Sequence, residues 1–150
     1  MRKFIFSMLS ILNVNITRKE VAEMALVSAR AALAGEEKEL DRIQSLISEA
    51  MELSRVPKNP SGSYFVQREK YVKMLNDRKK NQIYRIKQAE AKAQSCAERL
   101  KEAVIEVKRM EKAREIEYGK WELEFKREEQ KINDETGNQR ASRKIMEQAV

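Results

Sequence analysis

Val56-Pro57-Lys58-Asn59-Pro60-Ser61-Gly62-Ser63 is the stretch that decides how this chain folds. It holds both prolines of the 150 residues and one of the four glycines. Proline has no backbone N–H and clashes with the preceding turn, so two prolines followed by a glycine end one helix and reverse the chain. On either side the sequence is long, charged and almost free of helix breakers. The simplest arrangement is all-α: a long antiparallel two-helix coiled-coil hairpin, read as one unit over 1–150. Helix one is expected over about 8–53, the turn over 54–63, helix two over about 64–134, and a frayed tail over 135–150, after the helix-stop signal of Gly137.

Working outward from the turn, helix one carries a seam of Ala22, Leu26, Ala29, Leu33, Glu36, Leu40, Ile43, Ile47 and Ala50. These alternate four and three apart, which is the heptad pattern of a coiled coil. Thr17 and Glu20 form a capping-box pair, so the regular part is expected to begin there, with the first sixteen residues looser. In helix two a seam can be traced through Ile86, Glu90, Ala93, Ala97, Leu100, Val104, Val107, Glu111, Arg114, Tyr118, Trp121, Phe125, Glu128 and Ile132. Cys96 falls one residue off that line and is read as a small apolar residue.

At about 1.5 Å per residue, helix one is ~65–70 Å long and helix two ~105 Å. Pairing outward from Leu53, Met8 reaches roughly Arg109, so Tyr118, Trp121 and Phe125 lie past regular helix one. Either Phe4, Ile5 and Phe6 fold back over these three aromatics, or the aromatics are offered to another protein. The basic and apolar start, Met1 to Leu12, is read as a helix end that packs on a neighbour or a partner. It lacks a small-residue cleavage site and is far short of the ~20 residues of a membrane span.

Composition removes whole classes of function. Charged residues make up 37% and aromatics 6%, with net charge +7, no histidine and one cysteine. Histidine-based acid–base chemistry, histidine metal ligation and an internal disulfide are thereby excluded. There is no glycine-rich phosphate loop, Cys/His cluster or nucleophile elbow, so no catalytic residue, metal ligand or cofactor is assigned. The charge is uneven. Tyr64 to Lys87 holds eight basic and two acidic residues, whereas Thr17 to Leu53 holds five basic and eight acidic. The basic stretch either complements the acidic helix beside it or forms a docking surface for an acidic protein or nucleic acid. Nucleic acid is the weaker alternative, since no DNA-binding motif accompanies the charge.

Four stretches together resemble the FliJ/YscO family, the central stalk proteins of type III secretion and flagellar export machines. They are Ile11-Leu12 through Glu20-Val21-Ala22-Glu23-Met24-Ala25-Leu26, then Ala29 to Leu40, then Tyr71-Val72-Lys73-Met74-Leu75, and the acid-rich run Glu128 to Glu135. The resemblance implies a non-enzymatic cytoplasmic stalk, peripheral to the inner-membrane export apparatus and monomeric when free. Its paired ends would enter the ring of the hexameric export ATPase and stimulate it, with no direct membrane insertion and no nucleic acid as partner. Tyr118, Trp121 and Phe125 are taken as the ATPase-binding residues. Carried over position by position, the family's surface for the cytoplasmic domain of the export gate falls on Glu39, Ile43, Leu46 and Ala50, and on Tyr71, Leu75, Arg78 and Gln82. Ala50 and Arg78 depart from the family's aromatic and small residues. Export chaperones are further partners that the resemblance implies. Flagellum and injectisome remain alternatives. A generic dimerising coiled-coil scaffold and a nucleic-acid-binding rod using the Arg68 to Lys87 stripe stand as rival functions.

Overall fold

The computed structural model describes residues 3–52 and 55–150. They form two helices, α1 (Leu9–Met51) and α2 (Gly62–Gln148). The expected end of helix one at Leu53, and its pairing with the start of helix two, lie outside the described residues. The fold is the all-α two-helix hairpin that the Pro/Gly stretch implied. Two compact units divide the chain: Thr17–Val104 is one, and Met1–Ile16 with Ile105–Val150 is the other.

In the unit Thr17–Val104 the turn is built from caps. Ser61 precedes α2, and its Oγ accepts from the Tyr64 N–H at 3.3 Å, taking up one of the donors a helix start leaves orphaned. The other side of the turn is closed by Arg68, whose Nε donates to the Ala50 carbonyl at 2.7 Å. A guanidinium on one of the last carbonyls of α1 also meets the negative end of the helix dipole. Arg55 adds ion pairs to Glu49 at 3.5 Å and Glu52 at 3.3 Å.

The same contacts fix direction and register. Arg68 meets Ala50, and Gln82 donates its amide to the Glu36 carbonyl at 2.8 Å. The intervals 68 to 82 and 36 to 50 are equal and run oppositely, which makes the pair antiparallel. The predicted seam of α1 holds: Leu26, Ala29 and Ile43 are buried and the other seam positions half-buried. On α2 half of the predicted seam is displaced by one residue. Ile86, Ala93 and Leu100 face inward as read, but they alternate with Ala89, Cys96 and Ala103, while Glu90 is exposed. Helical geometry accounts for the slip. Steps of three and four from Ile86 both land near one face, and Ala97 and Val104, half-buried at the flank, made the wrong phase look apolar. Cys96 is therefore in the seam, packed with Leu26 and Ala29 and bordered by Ala93, Ala97 and Leu100. Alanine on both helices lets the backbones approach closely.

In the other unit α1 begins at Leu9, before the Thr17 box, so that pair is interior to the helix. Phe6, Leu12 and Val107 are buried there, with Met110 and Ala113 half-buried beside them. Glu111 and Arg114, which the predicted seam included, are exposed. α2 passes through Gly119 and Gly137 and ends at Gln148, not near Asp134. Gly137 has no positive φ and so supplies no left-handed stop. Within an exposed helix it costs only ~1 kcal/mol relative to alanine. Every residue from Lys126 to Val150 is exposed. No helix among the described residues is long and apolar enough to cross a membrane.

Candidate functional site

The first surface lies in the unit that pairs the N-terminal residues with Ile105–Val150. Tyr118, Trp121 and Phe125 are three and four residues apart, so α2 presents them along one face. Their rings form a ladder, Tyr118 to Trp121 at 5.6 Å and Trp121 to Phe125 stacked at 5.2 Å. Of the three N-terminal residues expected to fold back, Phe4 does so. Its ring meets Tyr118 edge-on at 5.2 Å and Trp121 at 5.9 Å. Phe6 is buried and Ile5 stays in solvent. The ladder is thus partly covered, and Tyr118 keeps 47% of its surface.

The covering segment is anchored by Ser7, whose N–H and Oγ donate to the two carboxylate oxygens of Glu117 at 3.2 and 2.9 Å. A carboxylate from α2 thereby caps the start of α1, where unpaired N–H groups and the positive end of the dipole favour an anion. Sequence reasoning missed this contact. Ser7 just before an apolar run was the only local sign of it.

The second surface was expected within Thr17–Val104, and the eight residues assigned to it do not make one face. Ile43, Leu75 and Gln82 are buried, Leu75 at 1% exposure and Gln82 at 4%. All three occupy the seam between α1 and α2. Gln82 also donates to the Glu36 carboxylate, so the amide nitrogen of this core-position side chain is engaged twice. Leu46 and Ala50 are half-buried and share a shallow groove with Tyr64, Gln67, Arg68 and Tyr71. Tyr71 and Arg78 are exposed. Glu39 is half-buried and accepts two bonds from Arg42, at 3.0 Å from Nε and 2.8 Å from the guanidinium terminus. Those bonds hold the Glu39 carboxyl below its ordinary range, with Arg78 and Arg85 adding weaker attraction at a distance. Arg42 is correspondingly shifted upward, chiefly by its hydrogen bonding to Glu39.

The basic stretch is not neutralised by ion pairs across the hairpin. Among the described residues the ion pairs are Lys19–Glu23, Glu39–Arg42, Arg55 with Glu49 and Glu52, Glu106–Arg109 and Glu122–Lys126. Each joins neighbours along one helix or just past its end. None links acidic α1 to the basic stretch of α2. No group of residues that could hold a metal ion occurs among the described residues.

A family model described as the flagellar FliJ protein matches residues 4–145, nearly the whole chain. The chain belongs to the FliJ family. No curated protein and no solved structure matches it. Members of this family are non-enzymatic stalk components of the flagellar export apparatus, and the match falls on the flagellar side of the choice that sequence reading had left open.

Proposed function

We propose that this FliJ-family chain acts as the central stalk of a flagellar export apparatus, entering the ring of the export ATPase, raising its turnover and linking it to the cytoplasmic domain of the export gate. The observation that carries the ATPase half is the aromatic ladder. Tyr118, Trp121 and Phe125 project from α2, and the Phe4 ring meets only the first two. Aromatic side chains that keep accessible surface supply large contact area at low entropic cost, the usual anchors of an interface. For the gate half, burial narrows the candidates to Glu39, Tyr71 and Arg78, with Leu46 and Ala50 at the groove beside Tyr71. Ile43, Leu75 and Gln82 would act by holding α1 and α2 in register. Export chaperones are proposed as further partners, and the stalk is proposed to be monomeric when free.

The test is a steady-state ATPase assay with the export ATPase of the same cell. Wild-type protein should raise turnover and co-purify with the ATPase. The Tyr118→Ala/Trp121→Ala/Phe125→Ala variant should do neither, while Cys96 stays protected from thiol reagents, showing that the seam is intact. The proposal fails if wild-type protein neither stimulates nor co-purifies, and the aromatic assignment fails if the triple variant performs as wild type.

A further inference from the structure

Beside the seam in the unit Thr17–Val104 runs an open groove of ≈ 580 Å³, bordered by Glu36 and Glu39 of α1 and by Arg78, Asn81, Gln82 and Arg85 of α2. Its charges are unevenly engaged. The Glu36 carboxylate receives the Gln82 amide, and the Glu39 carboxylate receives both bonds of Arg42. Both acids therefore already hold local donors. Arg78 and Arg85 form no ion pair with any described residue, and both are exposed. In the register set by Gln82 and Glu36, Arg85 faces Ala32 and Leu33, which offer no polar side chain, while Arg78 faces Leu40 beside Glu39, whose carboxylate is already bonded to Arg42.

Arg78 and Arg85 are seven residues apart, two helical turns, or about 10.5 Å along the axis. Lys92 continues the same heptad position. A guanidinium presents a planar fork that matches a carboxylate bidentately. Two such forks at heptad spacing select a ligand whose carboxylates repeat at the same interval, and an α-helix with acidic residues seven apart has that repeat. A duplex strand, with a phosphate every ~3.4 Å, would meet the two arginines at every third phosphate, so DNA is the competing ligand; no DNA-binding motif accompanies the charge, and the test includes it.

We propose that this groove is the docking site for an acidic helix of a protein partner, with heptad-spaced carboxylates seated on Arg78 and Arg85. The proposal deepens the gate-docking reading of the same face, because it states the chemistry a partner must present there. It also separates from that reading in the test.

The full chain is titrated into a fluorescently labelled Ala-rich helical peptide carrying heptad-spaced glutamates, at low salt and at about 0.15 M. Controls are a peptide of identical composition with its glutamates consecutive, and a DNA duplex of similar length. Reversing both arginines, Arg78→Glu/Arg85→Glu, should weaken peptide binding at least about tenfold, the effect of losing one charge-assisted contact. The milder Arg78→Gln/Arg85→Gln variant should weaken it in the same direction. Lys73→Glu/Lys80→Glu changes net charge equally on the same stretch of α2 but lines a different groove, and should change binding less than about threefold. Equal losses in the two reversed variants would reduce the site to diffuse attraction and overturn the proposal. So would equal binding of the consecutive-glutamate peptide, unchanged binding in the arginine variants, or tighter arginine-dependent binding of DNA. Peptide binding without binding of the gate domain would sink the gate-docking reading and leave the site standing; gate binding that ignores Arg78 and Arg85 would do the reverse.

Discussion

Replacing Phe4 by alanine removes one ring from the aromatic ladder, and its effect can be worked out from two contacts. The Phe4 ring meets Tyr118 edge-on at 5.2 Å and Trp121 at 5.9 Å. Such pairs contribute ~0.5–1.5 kcal/mol each beyond area burial, so their joint loss is about 1–3 kcal/mol. Phe4 is only half-buried, so no closed cavity is left and the cavity penalty of a core truncation does not apply. What weakens is the attachment of residues 3–7, and 1–3 kcal/mol corresponds to roughly a 5- to 150-fold larger detached fraction.

Two residues report on this without labels. The Ser7 N–H is protected by Glu117, so its exchange with solvent, followed by NMR, should accelerate by that factor. Trp121 is the only tryptophan, and its emission should move to longer wavelength as the covering ring leaves. The thiol of Cys96, buried against Leu26 and Ala29, should react no faster than in wild type. Ser7 exchange accelerated by less than about fivefold, with unchanged Trp121 emission, would refute the view that Phe4 holds the segment down.

Other substitutions probe the hairpin. Leu75→Ala removes the most deeply buried large side chain and should cost about 2–3 kcal/mol in urea denaturation followed by helicity, at the low end for core truncations because a two-helix seam can close around the gap. A loss below about 1 kcal/mol would place Leu75 outside the core. Gln82→Leu exchanges a bonded polar side chain for an apolar one of similar size; the Glu36 carboxylate it leaves is half-buried and turns to water, so stability should stay within about 1 kcal/mol. Sedimentation should then show a new self-associated fraction, because a buried polar residue at a seam position fixes register and pairing; a strictly monomeric variant would remove that role. Glu39 titrates below the ordinary glutamate range because of Arg42, so its contribution to stability is complete above the unfolded-state value and is lost as pH falls through the folded one. In Arg42→Ala the NMR midpoint of Glu39 should rise, and an unmoved midpoint would contradict the assigned cause.

The sequence by itself determined the class of fold. Two prolines and a glycine placed the reversal, and heptad alternation from Ala22 to Ala50 identified the inward face of α1. Such features are local, because breakers and periodicity act within a few turns of one helix. The aromatic ladder was legible for the same reason, its residues being three and four apart. What tertiary structure decided was everything that depends on the second helix. It chose Cys96 over Ala97 for the seam of α2, because the facing Leu26 and Ala29 select one of two nearly equivalent phases. It drew Gln82, Ile43 and Leu75 into the interior while leaving Arg78 and Tyr71 outside, a sorting that residue type alone does not reveal. Glu117 found Ser7 across 110 positions of sequence, and no spacing rule reaches that far. The charges of α2 were counted correctly from the sequence, but only the side-chain partners disclose that Glu36 and Glu39 hold local donors while Arg78 and Arg85 form no ion pair among the described residues.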